Sequence, residues 1–312
     1  MESTNKLEPI LFRLDEANEL LWSEKPENRE FFFHICNMCK NYPSIFLAYS
    51  ASAMAMLKAG ETAEGFSKLG INVFMPAEPV PLCAFSQAMT VRSAPLGLYL
   101  STDDTRKLLK LTAISSHGGY FDSQDILSEK PQIKKDKTGV IGQTEMLNGY
   151  VNNLINLSDK YIEKGDYFAK LDIPFPALQK MLSEKEAPEI LLKRNVIGYS
   201  AEVSDDGQKL TIFDQNNNKL PTSQIASIIL KYLLKERFAS GTVIGPTPLP
   251  DQEITEENYI EVSTVSDMAF NAGFTDLLLA WWHDGTIAHQ GSSCFGDALL
   301  TAVYFLEAIR IA

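Results

Sequence analysis

Hydrophobic and polar residues follow one another along the chain in blocks that predict an α/β fold. Between Pro43 and Asp122, short runs of β-branched and aromatic residues alternate with stretches in which apolar residues recur every three or four positions. The first pattern is typical of buried strands, and the second of helices that lie on a sheet. The predicted elements are strands at 44–49, 71–74 and 95–100 and helices at 54–66 and 85–89.

The stretch 201–234 contains the clearest succession of elements. A run at 210–213 lies between two polar turns and predicts a strand, which is followed by a hairpin and a second short strand. Thr222 or Ser223 is the expected N-cap of the long helix that comes next. The other predicted elements are helices at 146–161, 178–182 and 268–273, a last helix that ends near 309, and strands at 241–245 and 277–282.

Composition indicates an ordinary globular protein of about two domains. The 312 residues are 45% hydrophobic and have a formal net charge of -12, so the surface repels phosphate backbones and no nucleic-acid partner is expected. The N-terminal residues lack the charged start and apolar core of a leader, and no apolar run is long enough for a membrane span. We therefore expect a cytoplasmic protein with no membrane partner.

The four cysteines could suggest a metal or redox site in one place only. Cys36 and Cys39 have the spacing of a redox pair or of half a zinc site, but no second pair completes such a site. Because the residues around them are those of a buried helix, we interpret all four as ordinary core thiols.

The loop SDDGQKL at 204–210 resembles the metal loop D-G-D-G-D-R-L of the α-D-phosphohexomutases, which are the phosphoglucomutases and phosphomannomutases. Of the three alternating carboxylates that bind Mg²⁺ in that family, only Asp206 remains, and Ser204 and Gln208 stand at the other two positions. Mg²⁺ needs hard oxygen ligands and usually carboxylate charge. The resemblance therefore implies a degenerate metal site and no cofactor, with Mg²⁺ expected only if the chain is an active mutase.

The predicted strand at 95–100 occupies the place where the family has its phosphoserine motif, T-A-S-H-N-P. Here it continues into Ser101, Thr102 and Asp103, and spacing puts Asp103 at the phosphoserine position, with Ser101 or Thr102 within one or two residues of it. An aspartate cannot replace phosphoserine as a reusable phosphate carrier. The alternative interpretation, favoured by the residue types, is that Ser101–Asp104 is the N-terminus of a helix.

Two stretches near the end of the chain also resemble the family. The sequence WWHDG at 281–285 stands where the family has the sugar-binding loop G-E-x-S-G, so the resemblance implies substrate contacts for Trp282, His283, Asp284 and Gly285. His283 and Asp284 can act as an acid–base pair only if they lie in a loop, because neighbours on a strand point to opposite faces. CFGDALLTA at 294–302 resembles T-G-D-G-L-L-T-A, which opens the last helix of the third domain.

The resemblance implies a fold of phosphohexomutase-like α/β domains, in which mixed sheets are flanked by helices. We predict a first-domain-like region at 1–145, a linker helix with a reduced second domain at 146–198, and a third-domain-like region at 199–312. The family's fourth domain is expected to be absent. The recognisable parts are expected to converge in a cleft that contains Asp103, Asp206 and residues 282–284.

The missing motifs favour a pseudoenzyme, which is a non-catalytic relative of the phosphohexomutases of carbohydrate metabolism and acts by binding. Its expected partners are another protein or a second copy of the chain, with a sugar phosphate as a weak ligand because the predicted cleft gathers carboxylates without a cation. The alternative function is an active phosphosugar mutase that uses substituted residues.

Overall fold

The computed structural model describes residues 10–13, for the backbone only, and 44–103, 108–120, 138–157, 170–185, 198–249 and 258–311. The chain forms two compact units, Met1–Met146 (unit 1) and Leu147–Ala312 (unit 2). Cys36 and Cys39 lie outside the described residues, so their predicted helix stays a prediction. The same holds for the predicted domain boundaries.

The described residues of unit 1 form one six-stranded mixed sheet. Its strands are β1 Ile10–Arg13, β2 Ser44–Tyr49, β3 Asn72–Met75, β4 Leu96–Asp103, β5 Leu108–Ser115 and β6 Ile141–Gln143. They lie in the order β1-β5-β4-β2-β3-β6, with antiparallel pairing from β1 to β4 and parallel pairing from β4 to β6.

Two helices of unit 1, α1 Ala53–Lys68 and α2 Leu82–Arg92, pack against this sheet. The α1 side carries small residues, such as Ala55 and Ala59, against buried leucines of β2 and β4. The α2 side places Phe85 against Tyr99, with ring centroids 5.9 Å apart. The sequence prediction for β2, β3, β4 and both helices is confirmed to within a few residues.

The end of β4 differs from the prediction of a helix N-terminus. Ser101, Thr102 and Asp103 are the last residues of the strand, and they pair antiparallel with Lys110, Leu109 and Leu108 of β5. The helix prediction was wrong because it considered capping residue types alone. The strand partner LLKLTAIS at 108–115, with apolar residues on both faces, offers the backbone a full ladder of hydrogen bonds instead.

Two further mixed sheets lie in the part of unit 2 that the structure describes. Their strands are β7 Lys170–Asp172, β8 Ser200–Val203, β9 Leu210–Phe213, β10 Thr242–Gly245, β11 Tyr259–Glu261, β12 Leu277–Trp281 and β13 Ile287–His289. The orders are β7-β8-β9 and β11-β10-β12-β13. In the second sheet the first three strands are parallel and β13 is antiparallel to β12.

Five helices of unit 2 lie within the described residues. They are α3 Asn148–Leu157, α4 Pro176–Glu184, α5 Thr222–Lys235, α6 Val265–Ala272 and α7 Ala298–Ile311. Residues 298–308 of α7 are all buried, as expected of a helix that is apolar on every side. No helix in the described part of either unit is both long enough and apolar enough to cross a membrane.

The start of α5 also differs from the prediction. Its N-cap is Pro221, and no side chain caps it, so neither Thr222 nor Ser223 has the predicted role. Thr222 is the first helical residue, and its hydroxyl donates to the backbone oxygen of His283, 3.1 Å away. The predicted second short strand is a single bridge between Phe213 and Lys219.

A buried carboxylate joins α3 to the start of α7. Asp297 precedes α7, and its Oδ1 accepts hydrogen bonds from the Tyr150 hydroxyl of α3, at 2.7 Å, and from the Leu300 N–H, at 3.0 Å. Its Oδ2 accepts from Ser292. Burial raises the pKa of Asp297, while these donors and the N-terminus of the helix act in the opposite direction.

One turn further along α7, Thr301 contacts His289, a buried histidine at the end of β13. Thr301 donates its hydroxyl proton to the Asp297 carbonyl at 2.7 Å, so the hydroxyl oxygen accepts from Nε2–H of His289, also at 2.7 Å. The Nδ1 atom of His289 is buried and has no hydrogen-bond partner among the described residues. Burial lowers the pKa of His289 to about 3.

The far half of α7 is tied to α5 and α3 by Arg237. Its guanidinium donates to Glu307 at 3.2 Å, to the Tyr232 hydroxyl at 2.8 Å and to the Leu157 carbonyl at 2.8 Å. The Tyr232 hydroxyl in turn donates to Glu307 at 2.7 Å. We call Tyr232, Arg237, Tyr304 and Glu307 the Arg237 cluster, because the guanidinium also lies over both tyrosine rings.

Candidate functional site

The loop at 204–209 is closed on itself around one carboxylate. Asp206 Oδ1 accepts from the Ser204 hydroxyl at 2.6 Å and from the Gln208 backbone N–H at 3.1 Å, and Oδ2 accepts from the Gln208 side-chain amide at 2.8 Å. The Ser204 oxygen also accepts from the Lys209 N–H at 3.0 Å. The two residues that stand at the lost carboxylate positions therefore both donate to the one that remains.

Two glycines allow this loop to form and to be packed closely. Gly207 has φ +73°, a left-handed conformation that glycine adopts without steric cost, and its carbonyl accepts from the Ala298 N–H at the start of α7. A Cβ on Gly296 would lie 2.3 Å from the Gln208 carbonyl oxygen. A side chain at 296 would therefore push the loop away from α7.

The predicted ligand residues 282–285 form a turn directly after β12. The turn uses Gly285, at φ +100°, whose carbonyl accepts from the Leu210 N–H at 3.1 Å. Lys209 forms an antiparallel bridge with Thr286. The structure thus brings the loop at 204–209 and the turn at 282–285 together, although more than 70 residues separate them in the sequence.

Asp284 is the charged residue of this turn, and Lys209 neutralises it. Lys209 Nζ lies 2.7 Å from Asp284 Oδ2, and Oδ1 accepts from the Thr286 N–H at 3.1 Å and the Thr286 hydroxyl at 2.7 Å. Burial acts to raise the pKa of Asp284, but Lys209 and Thr286 outweigh it and hold the pKa below its usual value. Asp284 is therefore engaged by Lys209 and Thr286 and does not orient His283.

The aromatic side chains at the end of β12 and in the turn differ in exposure. Trp281 is 1% exposed and packs so closely on Gly245 that a Cβ there would lie 2.3 Å from its Nε1. Trp282 is half-buried and His283 is exposed, and their ring centroids are 5.7 Å apart. Trp282 and His283 thus form a small aromatic surface, which we call the Trp282–His283 surface.

The three candidates for the phosphoserine position lie in unit 1, in the β4–β5 ladder. Ser101 is 2% exposed, and the Thr102 hydroxyl is buried. Asp103 is half-buried at the end of the strand. Whichever of the three positions corresponds to the phosphoserine, no solvent-accessible hydroxyl stands there. The predicted convergence of Asp103 with Asp206 and the 282–284 segment stays a prediction.

Solved structures with a similar fold include phosphohexomutases. A phosphomannomutase from Thermus thermophilus superposes with a TM-score of 0.68 at 12% identity, covering 89% of this chain and 76% of that one. A phosphoglucomutase/phosphomannomutase family protein from Burkholderia thailandensis gives 0.67 at 12% identity, covering 100% and 78%. Parafusin, a Paramecium phosphoglucomutase in its open form, gives 0.64 at 12% identity, covering 97% and 69%.

The chain has the phosphohexomutase fold. The fold class inferred from the sequence, mixed sheets flanked by helices, is confirmed. No family model matches the sequence, and no curated protein is significantly similar to it.

The donor set at 204–208 does not fit the Mg²⁺ ion that this fold implies. The Ser204 proton and the Gln208 amide protons point at Asp206, because a carboxylate only accepts hydrogen bonds, so these groups present donors where a cation needs oxygen lone pairs. Among the described residues, no group of three or more His, Cys, Asp or Glu side chains is placed to hold a metal. We therefore derive no chemical step through Mg²⁺ here.

Millimolar Mg²⁺ is expected to leave the melting temperature of the protein unchanged. A ligand that binds only the native state stabilises it by about 2.7 kcal/mol at a hundredfold excess over Kd, which corresponds to a rise of roughly 5–10 °C for a unit of this size. Thermal melts in MgCl₂ and in NaCl of equal ionic strength measure the difference. A melting temperature that climbs with Mg²⁺ and not with Na⁺ would contradict the interpretation of this loop.

Two contacts at this site were not predicted from the sequence. The Lys209–Asp284 ion pair joins residues that are far apart in the chain. The only sequence signal for it was their opposite charge, in the two loops that resemble the family's metal loop and sugar-binding loop. The Thr222 contact to His283 was hidden because Thr222 has a residue type that is typical of an N-cap.

Proposed function

We infer that this chain is a non-catalytic protein with the phosphohexomutase fold that acts by binding. Its partner is a second protein or another copy of the chain, and the Trp282–His283 surface is the place where a ligand makes contact. Sugar phosphates bind it weakly, with Kd above about 1 mM.

The observation that carries this proposal is the antiparallel pairing of the end of β4 with β5. A mutase of the resembled family passes the phosphoryl group through a serine at this place in the fold, so it needs a hydroxyl that the substrate can reach. Here Ser101 is 2% exposed, the Thr102 oxygen is buried, and Asp103 has no hydroxyl. The backbone groups that would shape a reactive loop are instead paired with Leu108–Lys110.

The loop around Asp206 supports the same proposal independently. Phosphoryl transfer depends on cations that neutralise charge on the transferred group. The Asp206 carboxylate is bonded to Ser204 and Gln208, and the nearby cation Lys209 pairs with Asp284. Both the carrier and the cation of the mutase reaction therefore lack their usual residues.

The protein is expected to show no interconversion of glucose 1-phosphate and glucose 6-phosphate, or of the mannose phosphates, in the presence of Mg²⁺. The measurement is product formation over long incubation at high protein concentration, together with the intact mass of the protein afterwards, which reports any stable phosphoryl group.

A matched variant separates true activity from a contaminating mutase. Turnover that persists in Asp206→Ala comes from a contaminant, because Asp206 is the one residue that remains of the family's three alternating metal carboxylates. Turnover that the wild type shows and Asp206→Ala loses would return the active-mutase alternative to first place. Light scattering over a range of concentrations then tests self-association, which the binding proposal includes.

A further inference from the structure

We propose that residues 204–209 form a cation-independent clasp that fixes the turn at 282–285 and so presents the Trp282–His283 surface in one conformation. In this proposal Ser204 and Gln208 are not remnants of a metal site. They supply, as hydrogen-bond donors, the cross-links that a bound cation would supply between carboxylates. The role given to the aromatic surface rests on the proposed binding function, whereas the clasp itself does not.

The first step is that the clasp is held without a cation. Three donors converge on Asp206, namely the Ser204 hydroxyl, the Gln208 N–H and the Gln208 side-chain amide. Bonds to a charged acceptor are shorter and stronger than bonds between neutral groups. Gln208 is 8% exposed, so these bonds compete little with water. The loop therefore has a fixed shape under any cation concentration.

The second step is that the clasp sets the position of the turn. Lys209 follows Gln208 directly, and its backbone is fixed by the bond to Ser204. From there it forms the bridge to Thr286 and the ion pair with Asp284, and the next residue, Leu210, donates to Gly285.

The third step is that the turn is also held from within and from α5. The Trp282 N–H donates to the Thr286 carbonyl at 2.9 Å, and Thr222 of α5 donates to the His283 carbonyl. A Cβ on Gly285 would lie 2.8 Å from the Leu210 carbonyl oxygen, so the turn packs directly against the backbone of the residue two positions after Gln208. Trp282 and His283 are thereby held on a scaffold fixed on both sides. A preordered surface loses less conformational entropy on binding than a mobile one.

Asp206→Ala tests the clasp directly. Removing the acceptor leaves the Ser204 and Gln208 donors without it, and the melting temperature of the protein should fall by about 5 °C or more. The ring signal of His283 in ¹³C–¹H spectra, assigned among the four histidines by His283→Gln, should shift or broaden because the turn becomes mobile.

Asp214→Ala is the matched control. Asp214 lies in the turn between β9 and α5, where its carboxylate accepts hydrogen bonds from the Asn216 and Asn218 N–H groups and from the Asn218 side-chain amide. The substitution therefore removes a similar number of hydrogen bonds from the same unit. No hydrogen bond or ion pair joins Asp214 to residues 282–285 in the described structure. The His283 signal of this variant should match that of the wild type.

The double variant Ser204→Asp and Gln208→Asp tests the cation side. It places carboxylates at all three alternating positions 204, 206 and 208, where the clasp has only Asp206, and Asp205 lies between them. Without divalent cations the variant should therefore melt well below the wild type because of like-charge repulsion. Addition of Mg²⁺ or Ca²⁺ should raise its melting temperature and restore the wild-type His283 signal. The wild type should respond to neither ion.

Three results would overturn the clasp. The first is an Asp206→Ala variant that keeps both its melting temperature and its His283 signal, and the second is a wild type that Mg²⁺ stabilises. The third is a double variant that neither melts lower than the wild type nor responds to cations. Detection of mutase activity alone would overturn the proposed function and leave the clasp standing, so the two failures are distinguishable.

Discussion

Replacing Arg237 by methionine is expected to lower the free energy of unfolding of unit 2 by about 3 kcal/mol. The Glu307 side chain is 2% exposed, and Arg237 is the cation that faces it at 3.2 Å. Methionine keeps much of the aliphatic packing on Tyr232 and Tyr304 but removes the charge, so the buried Glu307 carboxylate loses its cationic partner and keeps the hydrogen bond from the Tyr232 hydroxyl. Arg237 is itself about a third exposed, and for this reason we expect the lower end of the range for buried pairs. Urea unfolding followed by tryptophan fluorescence in a Trp22→Phe background, which leaves Trp281 and Trp282, measures the change in this unit.

Lys180→Met is the matched control for this prediction. Lys180 and Glu184 are 3.8 Å apart on α4, with side chains 78% and 63% exposed, and pairs of this kind contribute only about 0.3–0.5 kcal/mol. An Arg237→Met variant as stable as Lys180→Met would show that water reaches Glu307 and that the Arg237 cluster is not a buried ion pair.

Acid is expected to destabilise unit 2 through His289. The pKa of His289 is about 3 in the folded protein against 6.5 for an ordinary histidine. Between these two values the unfolded chain binds a proton that the folded chain does not, so stability is lost as pH falls below 6.5. For this group alone the loss between pH 7 and pH 5 is about 2 kcal/mol. Asp297, whose pKa burial raises, acts in the opposite direction above pH 3.8, so the effect of His289 must be taken from a difference between variants.

His289→Gln provides that difference. Glutamine keeps a donor for Thr301 but has no titrating group, so its stability should fall by about 2 kcal/mol less than that of the wild type between pH 7 and pH 5. His283→Gln is the control for the loss of an exposed histidine ring from the same unit. Urea unfolding at the two pH values gives all three numbers. Equal losses in wild type and His289→Gln would mean that His289 takes up its proton in the folded state.

Local patterns predict much of this fold because most of its elements have a strong periodicity. The apolar runs of β2, β4 and β12 and the helical spacing in α1 and α5 identify these elements without any tertiary information. The pattern failed where two local interpretations compete. Ser101–Asp103 suits a helix N-terminus by residue type, and only the pairing with Leu108–Lys110 decides for a strand.

The site could be predicted only as far as its parts are contiguous in sequence. The loop at 204–208 is one motif, so the loss of two carboxylates is visible directly. That Ser204 and Gln208 donate to Asp206 follows from the fold of the loop and not from residue types, since both side chains can also accept. Polar residues within the apolar pattern of α7, such as Thr301 and Glu307, were an available signal for the buried network. Their partners His289 and Arg237 lie on other elements and needed the structure.

The burial of α7 on all sides decides the order in which the chain can fold during synthesis. Tyr150 and Asp297 are 147 positions apart, and Tyr232 and Glu307 are 75 apart, so these bonds form only after residues 298–308 have left the ribosome. The described strands of unit 1 end at Gln143, and its sheet can close while the rest of the chain is being translated. Throughout that interval α3 and α5 expose the apolar faces that α7 later covers. The nascent chain therefore passes through a stage in which unit 2 exposes apolar surface that can aggregate.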